Sequence, residues 1–393
     1  NTCGFIESAK TEAIEKILET ASYREENPEL KIIVSGCLAQ RYADDIRAEL
    51  PEVDGIMGTG SYSEVVSVVE AVLAGDKPTR RGAISAPLYD TPRAVSTGPN
   101  WAYLRIAEGC DNRCSYCLIP SIRGPFRSRP VSAILEEARS LAARGYKEII
   151  LVAQDLTHYG ADFKDGTNLA ALLRELCAVD GLEWLRLHYL YPRELNDELI
   201  EVIASEPKIV KYLDIPIQHI NDEILRKMNR RDRGADIRAL LKKLRERIPG
   251  LVLRTSLITG LPGEGEAEFE ELCEFLREAR IERAGVFPLS PEEGTPAAKM
   301  PHVDTETARE RAETVLSLQA EIMDEWESSL AGSVIEAMCD EYDPETGTAR
   351  GRAYFDSPGV DGSVVFPGPC MPGSIVQLRV LSAEDGELRC ELI

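Results

Sequence analysis

Three cysteines, Cys110, Cys114 and Cys117, sit in the stretch Glu108-Gly109-Cys110-Asp111-Asn112-Arg113-Cys114-Ser115-Tyr116-Cys117, directly after a strand-like run from Trp101 to Ile106. Four thiolates complete a cubane iron–sulfur cluster. Three close together leave one iron without a protein ligand. An open metal position is where chemistry happens, as at the open fourth site of a catalytic zinc. Core thiols are the plain alternative, since free cysteine is among the most buried residue types. The interleaved Asp111, Asn112, Arg113 and Ser115 do not form a core stripe, however. A zinc knuckle is the stronger rival, although zinc sites usually pair Cys-x2-4-Cys with a second pair elsewhere. Spacing alone leaves both metals open, and the surrounding elements have to choose between them.

Those elements read as three segments. Residues 1–75 alternate strand and helix: strands at 31–34 and 53–57, and helical patterns after Ser8, after Ala39 and over 64–73. That alternation implies a parallel, doubly wound, flavodoxin-like α/β domain. Cys3 and Cys37 fall at or just past strand ends, the edge where open α/β sheets bind ligands. Residues 76–99 carry Pro78, Pro87, Pro92 and Pro99 and read as a linker. Residues 100–330 repeat strand then helix six times, with strands at 103–106, 148–153, 184–189, 210–215, 252–258 and 284–289, and close on a long helix over 304–330. Six such units imply a partial (βα)6 TIM-like barrel, whose chemistry lies at the C-terminal ends of the strands. The three cysteines follow the first of these strands, and that agreement favours the open cluster over zinc. Residues 332–393 hold five short strands between Gly, Pro and Asp turns, which predicts a small β-barrel.

Composition narrows the partners. The 393 residues include 45 basic and 67 acidic side chains, a net charge of −22. Gripping nucleic acid through its phosphates requires basic patches, so the balance favours a basic partner instead. Residues 332–393 alone contain four Arg, no Lys and eleven Asp or Glu. No apolar run approaches the ~18 residues of a membrane span, and no signal peptide is visible. Ten cysteines are too few for a disulfide scaffold in a chain this long, and clustered thiols suit a reducing cytoplasm. The opening Asn1-Thr2-Cys3 carries no initiator Met, so the chain is expected to begin partway into its first domain.

The Cys-x3-Cys-x2-Cys spacing resembles the radical S-adenosylmethionine (SAM) superfamily. The three-domain order resembles its methylthiotransferase family, with a TRAM-like last domain. Matching stretches are Asn1-Thr2-Cys3, Ser35-Gly36-Cys37-Leu38-Ala39-Gln40-Arg41-Tyr42, Cys110–Cys117 and Arg123-Gly124-Pro125-Phe126-Arg127-Ser128-Arg129. Within the family, three further stretches resemble the branch acting on the small-subunit ribosomal protein numbered twelve. They are residues 150–160 with Gln154-Asp155-Leu156-Thr157-His158-Tyr159-Gly160, residues 290–296, and Asp356-Ser357-Pro358-Gly359-Val360-Asp361-Gly362. The resemblance implies methylthiolation of an aspartate β-carbon, two SAM molecules per product, two [4Fe–4S] clusters and a flavodoxin- or ferredoxin-type reductant. An acidic last barrel implies no direct RNA binding. The alternatives are a tRNA (adenosine) methylthiotransferase, which a basic last domain would favour, and a non-catalytic, metal-stabilised ribosome-binding module.

The resemblance also assigns residues. Cys110, Cys114 and Cys117 hold the SAM-cleaving cluster. Cys3 and Cys37 hold the auxiliary cluster, with a third cysteine expected upstream of Asn1. Tyr116 packs near adenine. Gln154 and Asp155, ending the second barrel strand, hold the amino group or ribose, with helix capping as their plain alternative. Arg254 pairs with the SAM carboxylate, or forms a structural ion pair. Gly260, in Gly260-Leu261-Pro262-Gly263, lets backbone approach adenine. His219 reads as a structural histidine, and Cys177, Cys273, Cys339, Cys370 and Cys390 as core packing.

Overall fold

The computed structural model describes residues 1–86, 88, 93–384 and 386–393. Two residues of the proline-rich segment, Pro87 and Pro92, lie outside the described residues. The chain divides into two compact units, one formed by Asn1–Arg93, Glu108–Arg127 and Ser290–Met300, the other by Ala94–Ala107, Ser128–Leu289 and Pro301–Ile393. No helix among the described residues is long and apolar enough to cross a membrane.

The first unit carries a parallel three-stranded sheet, β1 (Ile33–Ser35), β2 (Gly55–Gly60) and β3 (Thr79–Gly82), in that order. Helices α1 (Glu7–Ser22), α2 (Cys37–Arg41), α3 (Ala43–Glu49) and α4 (Val65–Leu73) accompany it. Strand β3 corrects the linker reading of that stretch. Its sequence Thr-Arg-Arg-Gly is largely exposed at the sheet edge, so the apolar alternation that announces a strand is missing. Helix α5 (Ile119–Arg123), just after Cys117, also escaped the pattern because it is barely one turn long.

The second unit carries six parallel strands in sequential order: β4 (Trp101–Arg105), β5 (Glu148–Val152), β6 (Trp184–Leu187), β7 (Ile209–Asp214), β8 (Val252–Thr259) and β9 (Arg283–Pro288). Helices α6 (Val131–Ala143), α7 (Leu169–Cys177), α8 (Asp197–Ser205), α9 (Asp222–Lys227), α10 (Gly234–Arg247) and α11 (Glu266–Ala279) connect them, and α12 (Thr305–Ser329) follows. This is the expected partial (βα)6 barrel. Strand β6 ends two residues before the expected Tyr189, because Tyr189 adopts φ 60° and leaves the extended region. The last five strands, β10 (Val334–Asp343), β11 (Thr348–Ala353), β12 (Ser363–Pro367), β13 (Ile375–Glu384) and β14 (Glu387–Leu392), close into a barrel in the order β10-β11-β12-β14-β13.

Strand register sorts the six-stranded sheet into two faces, since paired residues share a side. Tyr103 pairs with Ile150, Ile150 with Arg186, Asp214 with Arg254 and Arg254 with Arg283. The opposite parity carries Leu104, Leu151, Leu187, Leu213 and Leu257, all buried. The polar face is the inner one. Its N-terminal half shares a core with the closed barrel, where Trp184, Val210, Tyr212 and Val252 pack with Met338, Phe355 and Phe366. Buried charges cross the same junction. Glu148 accepts from Arg186 Nε at 2.7 Å and from Arg352 at 2.5 Å, and Arg283 donates to Asp356 at 2.7 Å. Tyr212 donates to Asp361 at 2.7 Å, and Ser357 lies 3.1 Å from His188. The Asp356–Gly362 segment therefore anchors the closed barrel to the floor of the inner face.

Candidate active site

The cysteine loop lies in the first unit. Gly109, at φ 85°, permits the turn into Cys110, where an added Cβ would stand 2.1 Å from the Pro125 carbonyl oxygen. The Cys110 N–H donates to Gly124 O at 3.2 Å and the Cys117 N–H to Cys114 O at 3.0 Å. Asp111 Oδ1 accepts from the Phe126 N–H, tying the loop to its return segment. Arg113, just before Cys114, is left-handed at φ 48°, a conformation that functional loops hold under constraint.

Two of the sulfurs accept hydrogen bonds. Asn112 Nδ2 donates to Cys110 Sγ and the Ile119 N–H to Cys117 Sγ, both at 3.5 Å. Burial, with the neighbouring Cys114 and Cys110, pushes the Cys117 thiol up to about 12, despite the Ile119 N–H acting the other way. A thiolate at Cys117 needs a cationic partner to be stable at neutral pH, and an iron–sulfur cluster would supply one. Among the described residues no three His, Cys, Asp or Glu side chains are grouped so that they could hold a single metal ion. The fit therefore rests on the donor set and its hydrogen bonds.

Cys37 opens α2 and Cys3 lies beside it: Thr2 bridges Gly36, and the Cys37 N–H donates to Thr2 O at 3.0 Å. Cys37 packs with Leu118 and Ile122 from the segment that follows Cys117, with Phe5 against them. Arg123 ends that segment, donating to Glu108 Oε1 at 3.1 Å, with the Cys37 side chain within its electrostatic reach. Thr59 Oγ1 donates to Ile122 O at 2.8 Å. The two groups of cysteines are thus joined inside one unit by α5, a link the sequence pattern did not reveal. Tyr116 belongs to the same unit.

The other expected SAM contacts lie in the second unit. Gln154 and Asp155 follow β5. Asp155 is buried and accepts from Thr157 Oγ1 at 2.6 Å, while Thr157 Oγ1 accepts the Tyr191 N–H. Asn168, not Asp155, caps α7. Arg254 pairs with Asp214 at 2.9 Å, the ion pair weighed as its alternative role, because strand register places the two side by side. Gly260 is a glycine because of α12: an added Cβ would stand 2.4 Å from Ala308 Cβ, and its φ is 75°. Its N–H donates to Glu264 Oε1, which also receives Arg311, so the turn is packed and bonded to helix α12. His219 is fully buried and its Nδ1 accepts the Asn221 N–H, as a structural histidine would. Cys177, Cys273, Cys339 and Cys390 are buried, whereas Cys370 is only partly so.

Above the charged floor, the C-terminal half of the inner face is open. Arg105, Val152, Ser256 and Ile258 are half-buried, and Tyr189 and Phe287 are exposed. This is the strand edge where barrels of this kind do chemistry.

Comparison with known proteins agrees with this architecture. The radical SAM superfamily matches residues 104–276, the uncharacterized family UPF0004 matches 1–58 and the TRAM domain matches 331–393. The ribosomal protein uS12 methylthiotransferase RimO of Anaeromyxobacter sp. (strain Fw109-5) is 47% identical, across 99% of this chain and 83% of its own length. That of Acetivibrio thermocellus is 45% identical, across 100% and 89%. The chain belongs to this family of methylthiotransferases. It is a radical SAM enzyme, and its cofactors are SAM and an iron–sulfur centre. Among solved structures, the radical SAM methyltransferase TsrM of Kitasatospora setae shares the fold at TM-score 0.55 and 16% identity, covering 72% of this chain and 59% of its own.

Proposed function

We propose that this enzyme adds a methylthio group to the β-carbon of an aspartate in small-subunit ribosomal protein uS12. The observation that carries this reading is 45–47% identity, over essentially the whole chain, to enzymes named for that substrate. The charge of the last domain supports it independently. Its balance of four Arg against eleven acids repels phosphates and suits a basic ribosomal protein. Residues 1–75, 100–330 and 332–393 act as auxiliary-cluster, radical and substrate-docking domains, with no direct RNA contact by the last. A low-potential flavodoxin or ferredoxin supplies electrons in the cytoplasm.

In this reading Cys110, Cys114 and Cys117 hold a [4Fe–4S] cluster with one open iron, and Cys3 and Cys37 contribute to a second. The first cluster with SAM, when bound, supplies the hydrogen-atom abstraction that an unactivated C–H bond requires. The chain's own residues position and insulate. Asn112 Nδ2 and the Ile119 N–H offset charge on Cys110 and Cys117. Arg123, paired with Glu108, places a positive charge near Cys37. Tyr116 packs on adenine, and Gln154 and Asp155 receive the polar groups of SAM, with Thr157 holding the Asp155 carboxylate in place.

The test uses the full natural enzyme, reconstituted anaerobically with iron and sulfide and supplied with SAM and reductant. uS12 or unmodified tRNA is added in parallel and products are read by mass spectrometry. A methylthio increment on the uS12 aspartate, lost in Cys114→Ala, is the expected result. An increment on tRNA alone overturns the substrate, and no SAM cleavage with intact clusters overturns the reaction class.

A further inference from the structure

Tyr189 is one of four non-glycine residues of the second unit with positive φ, with Gln218, Asn229 and Arg280, and it is the aromatic one among them. It follows β6 with φ 60°, a left-handed conformation that only Gly, and occasionally Asn or Asp, visits routinely. Three hydrogen bonds hold its backbone there. Its N–H donates to Asp214 Oδ2 at 3.2 Å, its carbonyl accepts the Leu156 N–H at 3.0 Å, and the next N–H, of Leu190, donates to Asp214 O at 2.9 Å. Asp214 is in turn fixed by Arg254. Both flanking residues are buried, His188 at 7% exposure and Leu190 at 0%, whereas Tyr189 is 46% exposed.

Burial therefore does not repay the strain. A glycine or asparagine would occupy this backbone more cheaply, so what the position retains is the ring and hydroxyl. Strain of this kind, over-determined by its surroundings, collects at functional sites. The location agrees: Leu156, bonded to the Tyr189 carbonyl, directly follows Gln154 and Asp155 at the C-terminal edge of the sheet. Among the described residues the Tyr189 hydroxyl has no hydrogen-bond partner. Partial burial, with the Asp214 carboxylate, raises its pKa against the opposing pull of Arg254, so at neutral pH it is a donor. Asp214 is already committed to Arg254 and to the Tyr189 N–H, which leaves the open face above it short of acceptors and offering a donor.

We infer that Tyr189 contacts the substrate, donating its phenolic hydrogen bond to the carboxylate-bearing side chain that is to be modified. A neutral donor orients an acidic side chain without adding a charge that would bind the free acid indiscriminately. The inference rests on the proposed reaction with a peptidyl aspartate, and it adds the residue that recognises the carboxylate.

The experiment compares wild type, Tyr189→Phe and Tyr189→Asn as reconstituted holoenzymes acting on uS12. Tyr189→Phe keeps ring and backbone and deletes the donor. Tyr189→Asn keeps the left-handed backbone and deletes the ring. Both should raise the KM for uS12 at least about tenfold, the worth of one hydrogen bond to a charged group, and raise the 5′-deoxyadenosine released per methylthio product. SAM affinity, measured by equilibrium dialysis, should not change. An unchanged KM and coupling ratio in Tyr189→Phe overturns the inference, as does a loss of SAM affinity with the KM for uS12 unaltered. If wild type itself leaves uS12 unmodified, the proposed function has failed and takes this inference with it. The wild-type arm tells that failure from the other two.

Discussion

Arg352→Met tests whether the closed barrel is anchored by the buried charges at its junction. Glu148 and Arg186 are fully buried and Arg352 is 5% exposed. Glu148 divides its oxygens between Arg186 and Arg352, and Arg352 also donates to Asp340 at 2.7 and 3.0 Å. Methionine preserves much of the stem while removing the charge. Asp340 is 29% exposed and can turn to water, but Glu148 keeps only one of its two cations. Removing one partner of a buried pair costs about 3–5 kcal/mol, and the surviving Arg186 places this case near the lower end. Urea unfolding at pH 7 followed by tryptophan fluorescence measures it, because Trp101, Trp184 and Trp326 all lie in the second unit. A loss below about 1 kcal/mol, the range of exposed ion pairs, refutes the anchoring argument.

A pH arm checks the sign. Burial alone pushes the Glu148 carboxyl up, but Arg186 and Arg352 together outweigh it and hold it below the ordinary value. Its charged form is thus favoured more in the folded than in the unfolded chain. The stability it confers is fully present above the unfolded value of about 4.3 and is lost as pH falls through the depressed folded one. The stability gap between wild type and Glu148→Gln should therefore be complete at pH 7 and shrink below about pH 4.3. A gap that widens on acidification contradicts the reasoning.

Three further outcomes are expected. Gly260→Ala should cost about 2–4 kcal/mol from overpacking against Ala308 and a disfavoured φ, and an unchanged urea midpoint would show that α12 simply moves aside. Cys114→Ala should lower the iron and sulfide content of the reconstituted chain and abolish SAM cleavage while leaving urea stability of the second unit unchanged, since the loop belongs to the first. Association with uS12 should slow severalfold as salt is raised, as for an acidic surface meeting a basic partner, and a salt-independent rate would remove the electrostatic argument.

What the sequence made legible follows from where the interactions lie along the chain. The barrel strands were readable because each carries buried apolar residues such as Leu104, Leu151 and Leu257 in a short run. The cysteine loop stood out because its three sulfurs fit in eight consecutive residues. Strand β3 was not, since an exposed edge strand needs no apolar alternation. Nor was Tyr189, whose His188-Tyr189-Leu190 neighbourhood looks like continuing strand until the left-handed φ is seen.

Charges were the least legible of all, because their meaning depends on partners far away. Arg254 reads as a ligand for a carboxylate, and within the fold it pairs with Asp214, supplied by the adjacent strand. Glu148 reads as an ordinary strand residue until Arg352 arrives from 204 positions downstream. The Asp356–Gly362 stretch resembled a signature of one family branch. Its structural work is to carry Asp356, Ser357 and Asp361 to Arg283, His188 and Tyr212 on the barrel floor. Here it seats the last domain on the sheet whose opposite edge presents Tyr189, and the line from Asp214 to the Tyr189 N–H begins on that same inner face.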